Sequence, residues 1–310
     1  LDALAEELKT SRGVDDDEAS RSARAFLERA AGDVQVLVER GAGQWGFQHL
    51  TFQEFFVAAG LHSREEFEKA ARKHLADPRW EEILRLGVWY LALVQKRPEA
   101  ARRLIDRLLD KPPRLRPAWV VDVLRKHIPL ATLAATEAGD ALDVPRQRKV
   151  AATFTEWWRA VPSAVSERFL RELSLSDLRD VIAAELQPDV ASSDPSRRVM
   201  AAGALGLLRP STAMGTLSVL LHDSNATVRA AAVASMGQLR DPAAAEPLTA
   251  ALQDPEPPVR VAAAAAIRTG SFEGALPALR ETLNDRDVSV RGEAAATLAA
   301  LRPHDAWDAF

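Results

Sequence analysis

The most regular pattern of apolar and polar positions lies in the C-terminal part of the chain, where it repeats every 31 residues. Two apolar series share this spacing with an acidic and a basic series. The members are Leu186, Leu217, Leu248 and Leu279; Leu205, Met236, Ile267 and Leu298; Asp223, Asp254 and Asp285; and Arg198, Arg229, Arg260 and Arg291. Self-similarity at a period of about 20–50 residues indicates a repeat architecture. Each unit is predicted to be a helix ending near the aspartate, a turn, and a second, alanine-rich helix.

A charged motif opens the second helix of each unit. An aspartate is followed after four residues by valine and arginine, as in Asp223–Arg229, Asp254–Arg260 and Asp285–Arg291. The aspartate is expected to accept hydrogen bonds from free backbone N–H groups at the helix start, where negative charge is favoured. The arginine is expected to pair with an aspartate of the same or the adjoining unit. These charges predict a structural ladder, with ligand contact as the alternative, and the alanine tracts predict closely packed helices.

These motifs resemble the short, PBS-lyase-type form of HEAT repeats, whose pattern is a turn aspartate, Val-Arg and an Ala/Leu-rich helix. The resemblance covers about residues 176–303 within a repeat domain placed over 176–310, and it implies an all-α fold, a right-handed α-solenoid whose units contact only their neighbours. It also implies that a protein or another macromolecular ligand binds the concave face. The first unit departs from the pattern, with Ser192 in place of aspartate and Arg197 in place of valine, so a transition unit is expected there. Trp307 and Phe310 belong either to a small cap or to another repeat.

The first 62 residues show a different order of elements. Acidic residues 15–17 start a helical pattern that Gly32 ends; its apolar positions are Ala19, Ala23, Phe26, Leu27 and Ala30. Alternating apolar residues on either side of a Gly-Ala-Gly turn at 41–43 then predict a β-hairpin; they are Val34, Val36, Val38, Trp45 and Phe47. Thr51 and Glu54 are predicted to form a capping box, in which the Thr51 hydroxyl binds the Glu54 N–H, at the head of a helix over Phe52–Leu61.

The segment from Gly46 to Ala59 is similar to the end of the winged-helix domain of NACHT proteins, a branch of the STAND signalling NTPases that includes NLR-like proteins. The family pattern F-x-H-x-[ST]-F-Q-E-[FY] is met at every position of residues 47–55. Residues 74–86 are similar to the helical segment that follows the winged helix in this family. The resemblance implies a winged-helix remnant over residues 1–62 and a following helical segment over 63–112.

One residue receives a role from this resemblance. His49 matches the winged-helix histidine that, in NACHT proteins, reaches the β-phosphate of bound ADP and holds the closed state. An imidazole N–H can donate to a phosphate oxygen, and a nearby anion favours its protonated form. The alternative is a histidine that fills the junction between the hairpin and the next helix. The neighbouring Phe47, Phe52, Phe55 and Phe56 are expected in the core.

Residues 113–175 are predicted to be an irregular helical linker or degenerate repeats. Prolines interrupt the chain after Leu109, and a basic stretch surrounds Trp119 over Arg114–Arg125. Because Asp122 lies among these charges, a solvated helix face is favoured over a nucleic-acid site. Trp157 and Trp158 fall in a helix predicted over Pro145–Ala160, with one indole in the core and the other between helices or exposed.

Composition narrows the function. The chain of 310 residues has no cysteine, which excludes disulfides and thiolate metal sites and fits a reducing compartment, so the cytoplasm is expected. Residues 191–310 contain two more acidic than basic residues, which argues against a nucleic-acid surface. No apolar run reaches the about 20 residues of a membrane span. There is no P-loop, dinucleotide fingerprint, zinc-protease motif or nucleophile elbow, and the six histidines lack metal-ligand spacing. No catalytic or metal-binding residue is predicted.

The leading hypothesis is a non-catalytic sensor and regulatory part of a NACHT-type signalling ATPase, acting in bacterial defence. The chain begins at Leu1 without an initiator methionine, so an upstream ATPase domain in cis is expected to bind ATP or ADP with Mg²⁺. The parent protein would then form homo-oligomers on activation. The alternatives are a stand-alone HEAT scaffold that binds proteins and a HEAT-fold DNA glycosylase.

Overall fold

The computed structural model describes residues 2–32, 35–41, 44–63, 66–74, 77–110, 127–161 and 163–301. Within these ranges the chain forms eighteen α-helices, several single helical turns and one two-stranded sheet. The predicted all-α class is therefore confirmed. The basic stretch around Trp119 and the C-terminal Trp307 and Phe310 lie outside the described residues.

The chain starts with two helices that pack against each other, α1 (Asp2–Arg12) and α2 (Asp16–Gly32). Asp15 accepts the backbone N–H of Glu18 at 2.8 Å, as an N-terminal cap does. Ala19, Ala23 and Leu27 of α2 are buried as predicted. Phe26 is 55% exposed, because successive residues point about 100° apart around a helix and the buried stripe already contains Leu27. The helix α1 was not predicted.

The predicted hairpin is confirmed. Strand β1 (Leu37–Gly41) pairs antiparallel with β2 (Gln44–Phe47), and Leu37 faces Phe47 across the pair. Val36 lies just before β1, where its N–H donates to the carbonyl of Ala30 at 2.9 Å and ties the hairpin to α2. Val34 and the turn residues 42 and 43 lie outside the described part of the chain.

Helix α3 (Leu50–Ser63) begins earlier than predicted and corrects the capping box. The Phe52 N–H donates to the His49 carbonyl at 3.2 Å, so the first turn closes on His49 and Thr51 is already the second helical residue. Between these two described residues there is no hydrogen bond from Thr51 to Glu54. Burial, and then the charge of Glu82, raise the pKa of Glu54, which is the direction expected for a carboxyl without N–H donors.

Three further helices continue the chain: α4 (Phe67–His74), α5 (Glu81–Trp89) and α6 (Pro98–Asp110). A 3-10 turn (Pro78–Trp80) precedes α5, and a π-helical turn (Tyr90–Val94) follows it. Helix α5 passes so close to Phe67 that a Cβ on Gly87 would lie 2.0 Å from the ring. Only glycine fits this crossing without a shift.

The middle of the chain contains α7 (His127–Thr136), α8 (Val144–Ala160) and α9 (Ser163–Leu173), with a 3-10 turn (Gly139–Ala141) between the first two. Trp157 and Trp158 of α8 are both buried, so of the two alternatives for the second indole, a place between helices is confirmed and exposure is wrong. The reason is that α8 packs against α7 on one side and the first repeat helix on another, so adjacent side chains both find cover.

The repeats follow with alternating short and long helices. The shorter, first helices are α10 (Leu178–Glu185) with α11 (Gln187–Val190), α13 (Ala213–Leu220), α15 (Ala245–Ala251) and α17 (Leu276–Thr282). The longer, second helices are α12 (Pro195–Leu208), α14 (Ala226–Leu239), α16 (Pro257–Gly270) and α18 (Val288–Leu301). The 3-10 turns Pro242–Ala244 and Glu273–Ala275 start two of the first helices.

Successive second helices pack directly on one another, and successive first helices touch far less. The close packing comes from small residues: Gly206 lies against Ser235, and Gly237 lies against the backbone of Ala266. In a two-layer stack, the layer whose helices approach most closely lies on the inside of the curve. The second helices therefore form the concave side of the solenoid.

One hydrophobic core runs through most of the molecule. It extends without interruption from Ala58 in α3 to Leu298 in α18, through the buried faces of α5 to α9. Helices α3 to α9 therefore share one core with the repeats.

Candidate functional site

Three arginines join neighbouring repeats in a ladder. Each donates two hydrogen bonds to the aspartate 25 residues later, in the next repeat, at 2.7–2.9 Å. The pairs are Arg198 with Asp223, Arg229 with Asp254, and Arg260 with Asp285. Bidentate guanidinium–carboxylate pairs are among the stronger hydrogen-bonded pairs in proteins.

The same arginines also hold the turn of their own repeat. Nη1 of Arg229 donates to the carbonyl of Asp223 at 2.9 Å, and Nη1 of Arg260 donates to the carbonyl of Asp254 at the same distance. Arg291 repeats this bond with the carbonyl of Asp285 at 2.8 Å. Each arginine thus binds a carbonyl in the turn that precedes its own helix. In the three pairs it also binds the aspartate of the following repeat.

The ladder aspartates stabilise the turn before the helix and do not occupy the cap position. Asp223 accepts the N–H of Asn225 at 2.8 Å, while Asn225 itself caps α14 by accepting the N–H of Thr227. Hydrogen bonds from Arg198 are the main reason that the pKa of Asp223 lies below its usual value. The charges are mutually satisfied and largely covered, which supports a structural role for the ladder.

A second charge cluster, which the sequence did not reveal, lies where the repeats begin. The carboxylate of Asp189 in α11 is 1% exposed and accepts hydrogen bonds from Arg159 of α8 and Arg197 of α12. Burial works against its ionisation, but the bonds from the two arginines outweigh it and keep the pKa of Asp189 low. Arg197 is the residue that replaces the repeat valine, so this departure marks the junction between the preceding helices and the solenoid.

His49 lies on the surface at the start of α3, with its ring 6.1 Å from that of Phe52. The exposed imidazole lies between the end of β2 and the start of α3, and both the nucleotide contact and the junction-filling alternative stay predictions. The side chain is free to meet a group on another domain or a bound ligand.

Two aromatic side chains on α3, the helix that follows His49, correct an expectation. Phe52 and Phe56 were predicted in the core but are 37% and 50% exposed. The reason is that α3 buries the opposite side, at Ala58, and directs Phe55 toward Trp89 of α5, with ring centroids 6.1 Å apart. A groove of about 390 Å³ lies between these helices. We call it the α3 aromatic surface; it consists of Val36, Phe52, Phe55, Phe56, Leu86 and Trp89.

The accessible faces of α12, α14 and α16 mix small apolar and uncharged polar residues. The half-buried apolar positions include Val199, Met200, Gly203, Ala230, Val261 and Ala265, and the exposed positions include Ser196, Thr227, Ala234, Gln238 and Thr269. None of these positions is a lysine or arginine, which a nucleic-acid surface requires in clusters. Among the described residues, no group of histidine and acidic side chains could hold a metal ion. No helix within that part of the chain is long and apolar enough to cross a bilayer.

The family model of HEAT repeats matches residues 182–268 and, overlapping with them, residues 245–310. The C-terminal part of the chain consists of HEAT repeats. The matched ranges cover the second half of α10 and the helices from α11 onward, together with the whole Arg–Asp ladder. No curated protein matches the chain significantly.

Proposed function

We propose that this chain is the partner-recognising, regulatory part of a NACHT-type signalling ATPase. The HEAT solenoid recognises a protein ligand on its concave side, and the N-terminal helices and hairpin contact the ATPase domain. The observation that carries this proposal is the exposed His49 at the head of α3, next to the α3 aromatic surface. Contiguous exposed aromatic groups are characteristic of a surface that another domain covers.

The proposal assigns His49 to the nucleotide state. In a closed form, its imidazole donates a hydrogen bond to the β-phosphate of ADP held by the upstream domain, as the NACHT resemblance implies. ATP, ADP and Mg²⁺ belong to that domain, and this chain contributes the sensing side chain alone. Phe52 and Phe56 then pack against the same domain and hold His49 in place.

Coupling between the solenoid and His49 has a physical route. The core that begins in α3 continues into the last repeat, and Asp189 joins α8, α11 and α12 at the junction. A ligand on the concave side shifts the population toward the open form only if it binds that form more tightly. Release of the closed form would then permit oligomerisation and, in a bacterial cell, defence signalling from the cytoplasm.

The test uses the protein with its upstream ATPase domain. His49→Ala is expected to speed the release of a fluorescent ADP analogue by about tenfold, the effect of losing one charge-assisted hydrogen bond. Gln48→Ala is the matched control, because Gln48 is the neighbouring exposed residue. Equal release rates for the two variants would contradict the proposal and leave a HEAT scaffold without nucleotide coupling.

A further inference from the structure

A cavity of about 330 Å³ lies between α4, the π-helical turn and α6, on a part of the surface that the proposed function does not use. Its floor is apolar and includes Phe67, Leu91 and Leu104. Helix α6 contributes Ala100, Arg103, Leu104 and Arg107. These residues are spaced by three and four positions, so one face of α6 forms the wall.

An irregular stretch of backbone brings a further arginine to this cavity. Two residues after the π-helical turn, Lys96 has a left-handed backbone with φ of 52°. The next residue, Arg97, donates its N–H to the carbonyl of Leu91 at 3.0 Å and lines the cavity. Both π turns and left-handed residues other than glycine are rare and concentrate at functional sites.

The charges around the cavity are unbalanced. Three guanidinium groups line it, from Arg97, Arg103 and Arg107, against the single carboxylate of Glu68. Glu68 is paired with Arg107. Arg97 and Arg103 are exposed, and their side chains make no hydrogen bond or ion pair with any residue that the structure describes. Grouping like charges in this way costs free energy unless an anion lies between them.

His62 lines the cavity, and the pKa of its imidazole depends on the charges around it. Its ring stacks on Phe67 with centroids 4.1 Å apart, and Nε2 lies 2.9 Å from the carbonyl of Gly87, to which it donates. Burial, and to a smaller extent the charge of Arg97, lower the pKa of His62, while the bond to Gly87 acts in the opposite direction. The charged groups facing the ring are those of Arg97, Arg103, Arg107 and Glu68.

We propose that this cavity is a binding site for a small phosphate-bearing molecule, held by Arg97 and Arg103. The planar guanidinium group matches the oxygen geometry of phosphate and donates two hydrogen bonds at once. The volume lies near the lower end of the range for small-molecule sites, about 300–1,000 Å³. The apolar floor of Phe67, Leu91 and Leu104 would receive the uncharged part of the molecule.

The test measures the binding of inorganic pyrophosphate to the 310-residue chain by isothermal titration calorimetry at about 0.15 M salt. The wild type is expected to bind one pyrophosphate saturably. The double variant Arg97→Ala/Arg103→Ala is expected to bind at least about tenfold more weakly, since each arginine donates charge-assisted hydrogen bonds. Arg148→Ala is the matched control, because Arg148 is an exposed arginine of α8 outside the cavity, and it should bind like the wild type.

A second measurement follows the His62 ring by NMR across a pH titration. A bound anion beside the imidazole stabilises its protonated form, so pyrophosphate is expected to raise the pKa of His62 in the wild type and not in the double variant. Thermal unfolding of the double variant verifies that it folds. The proposal is overturned by absent or non-saturable binding, by equal binding of the double variant, or by binding to anionic phospholipid vesicles without binding to pyrophosphate.

Discussion

Arg198, Arg229 and Arg260 each satisfy two parts of the fold with one side chain. Two guanidinium nitrogens bind the aspartate of the next repeat, and a third binds a carbonyl in the turn of their own repeat. A lysine could not make this set of bonds, because its single ammonium group lacks the planar fork of the guanidinium. The ladder therefore depends on the shape of the side chain as well as on its charge.

The carboxylate of Asp189 is the most consequential single charge at the start of the solenoid. Asp189→Asn keeps the size of the side chain but removes the charge and one acceptor oxygen from two arginines. We expect a loss of about 2 kcal/mol in the free energy of unfolding, since hydrogen bonds to charged groups contribute about 1.5–3 kcal/mol. Urea denaturation followed by circular dichroism measures it.

Asp177→Asn provides the control for this substitution. Asp177 precedes α10, is exposed, and makes no side-chain cap hydrogen bond. A change within about 0.5 kcal/mol is expected there, as for most surface positions. If the two variants lost the same stability, Asp189 would not be the residue that fastens the junction.

At the level of the helices, close approach depends on glycine at two positions of the concave layer. A Cβ on Gly237 would lie 2.7–2.8 Å from backbone and side-chain atoms of Ala266, so α14 and α16 would have to separate. We expect Gly237→Ala to lower the free energy of unfolding by about 1–3 kcal/mol, the usual cost of overpacking. Differential scanning calorimetry would record the lower Tm.

Gly203→Ala in α12 is the matched substitution, because nothing lies within 4 Å of a Cβ built there. In a helix, alanine is favoured over glycine by about 1 kcal/mol. This variant should therefore gain stability where Gly237→Ala loses it. If Gly203→Ala lost as much stability as Gly237→Ala, the loss would not be specific to the close approach of α14 and α16.

The positions of helices and strands were easier to predict from the sequence than the burial of individual side chains. The 31-residue period and the hairpin follow from local spacing, and the structure has both. The exposure of Phe52 and Phe56 and the burial of both Trp157 and Trp158 depend on which neighbours pack against α3 and α8. Asp189 was missed for the same reason, because its two arginines are 30 residues before and 8 residues after it.

On the scale of the whole molecule, the shared core predicts that the repeats and helices α3 to α9 unfold together. All tryptophans except Trp307 precede residue 160, so fluorescence of a Trp307→Phe variant reports on the N-terminal half. Circular dichroism reports on all helices. We expect the two urea transitions to coincide, as for one cooperative unit.

The opposite outcome is equally clear. If fluorescence and circular dichroism gave midpoints that differ by more than their error, the N-terminal helices would unfold as a separate unit. A stability change at Asp189 would then move one transition without the other. Coincident urea midpoints would mean that a substitution at the Asp189 junction destabilises the helices on both sides of it.

The two-way bonding of the ladder arginines has a consequence for how such a chain can lengthen or shorten in evolution. In each 31-residue unit the aspartate pairs with the arginine of the preceding unit, and the arginine pairs with the aspartate of the following unit. Duplicating or deleting one whole unit leaves every partner available, because Arg198 would meet the next aspartate in the same geometry. The number of repeats can thus change in evolution while the Arg–Asp pairs between neighbouring repeats stay the same.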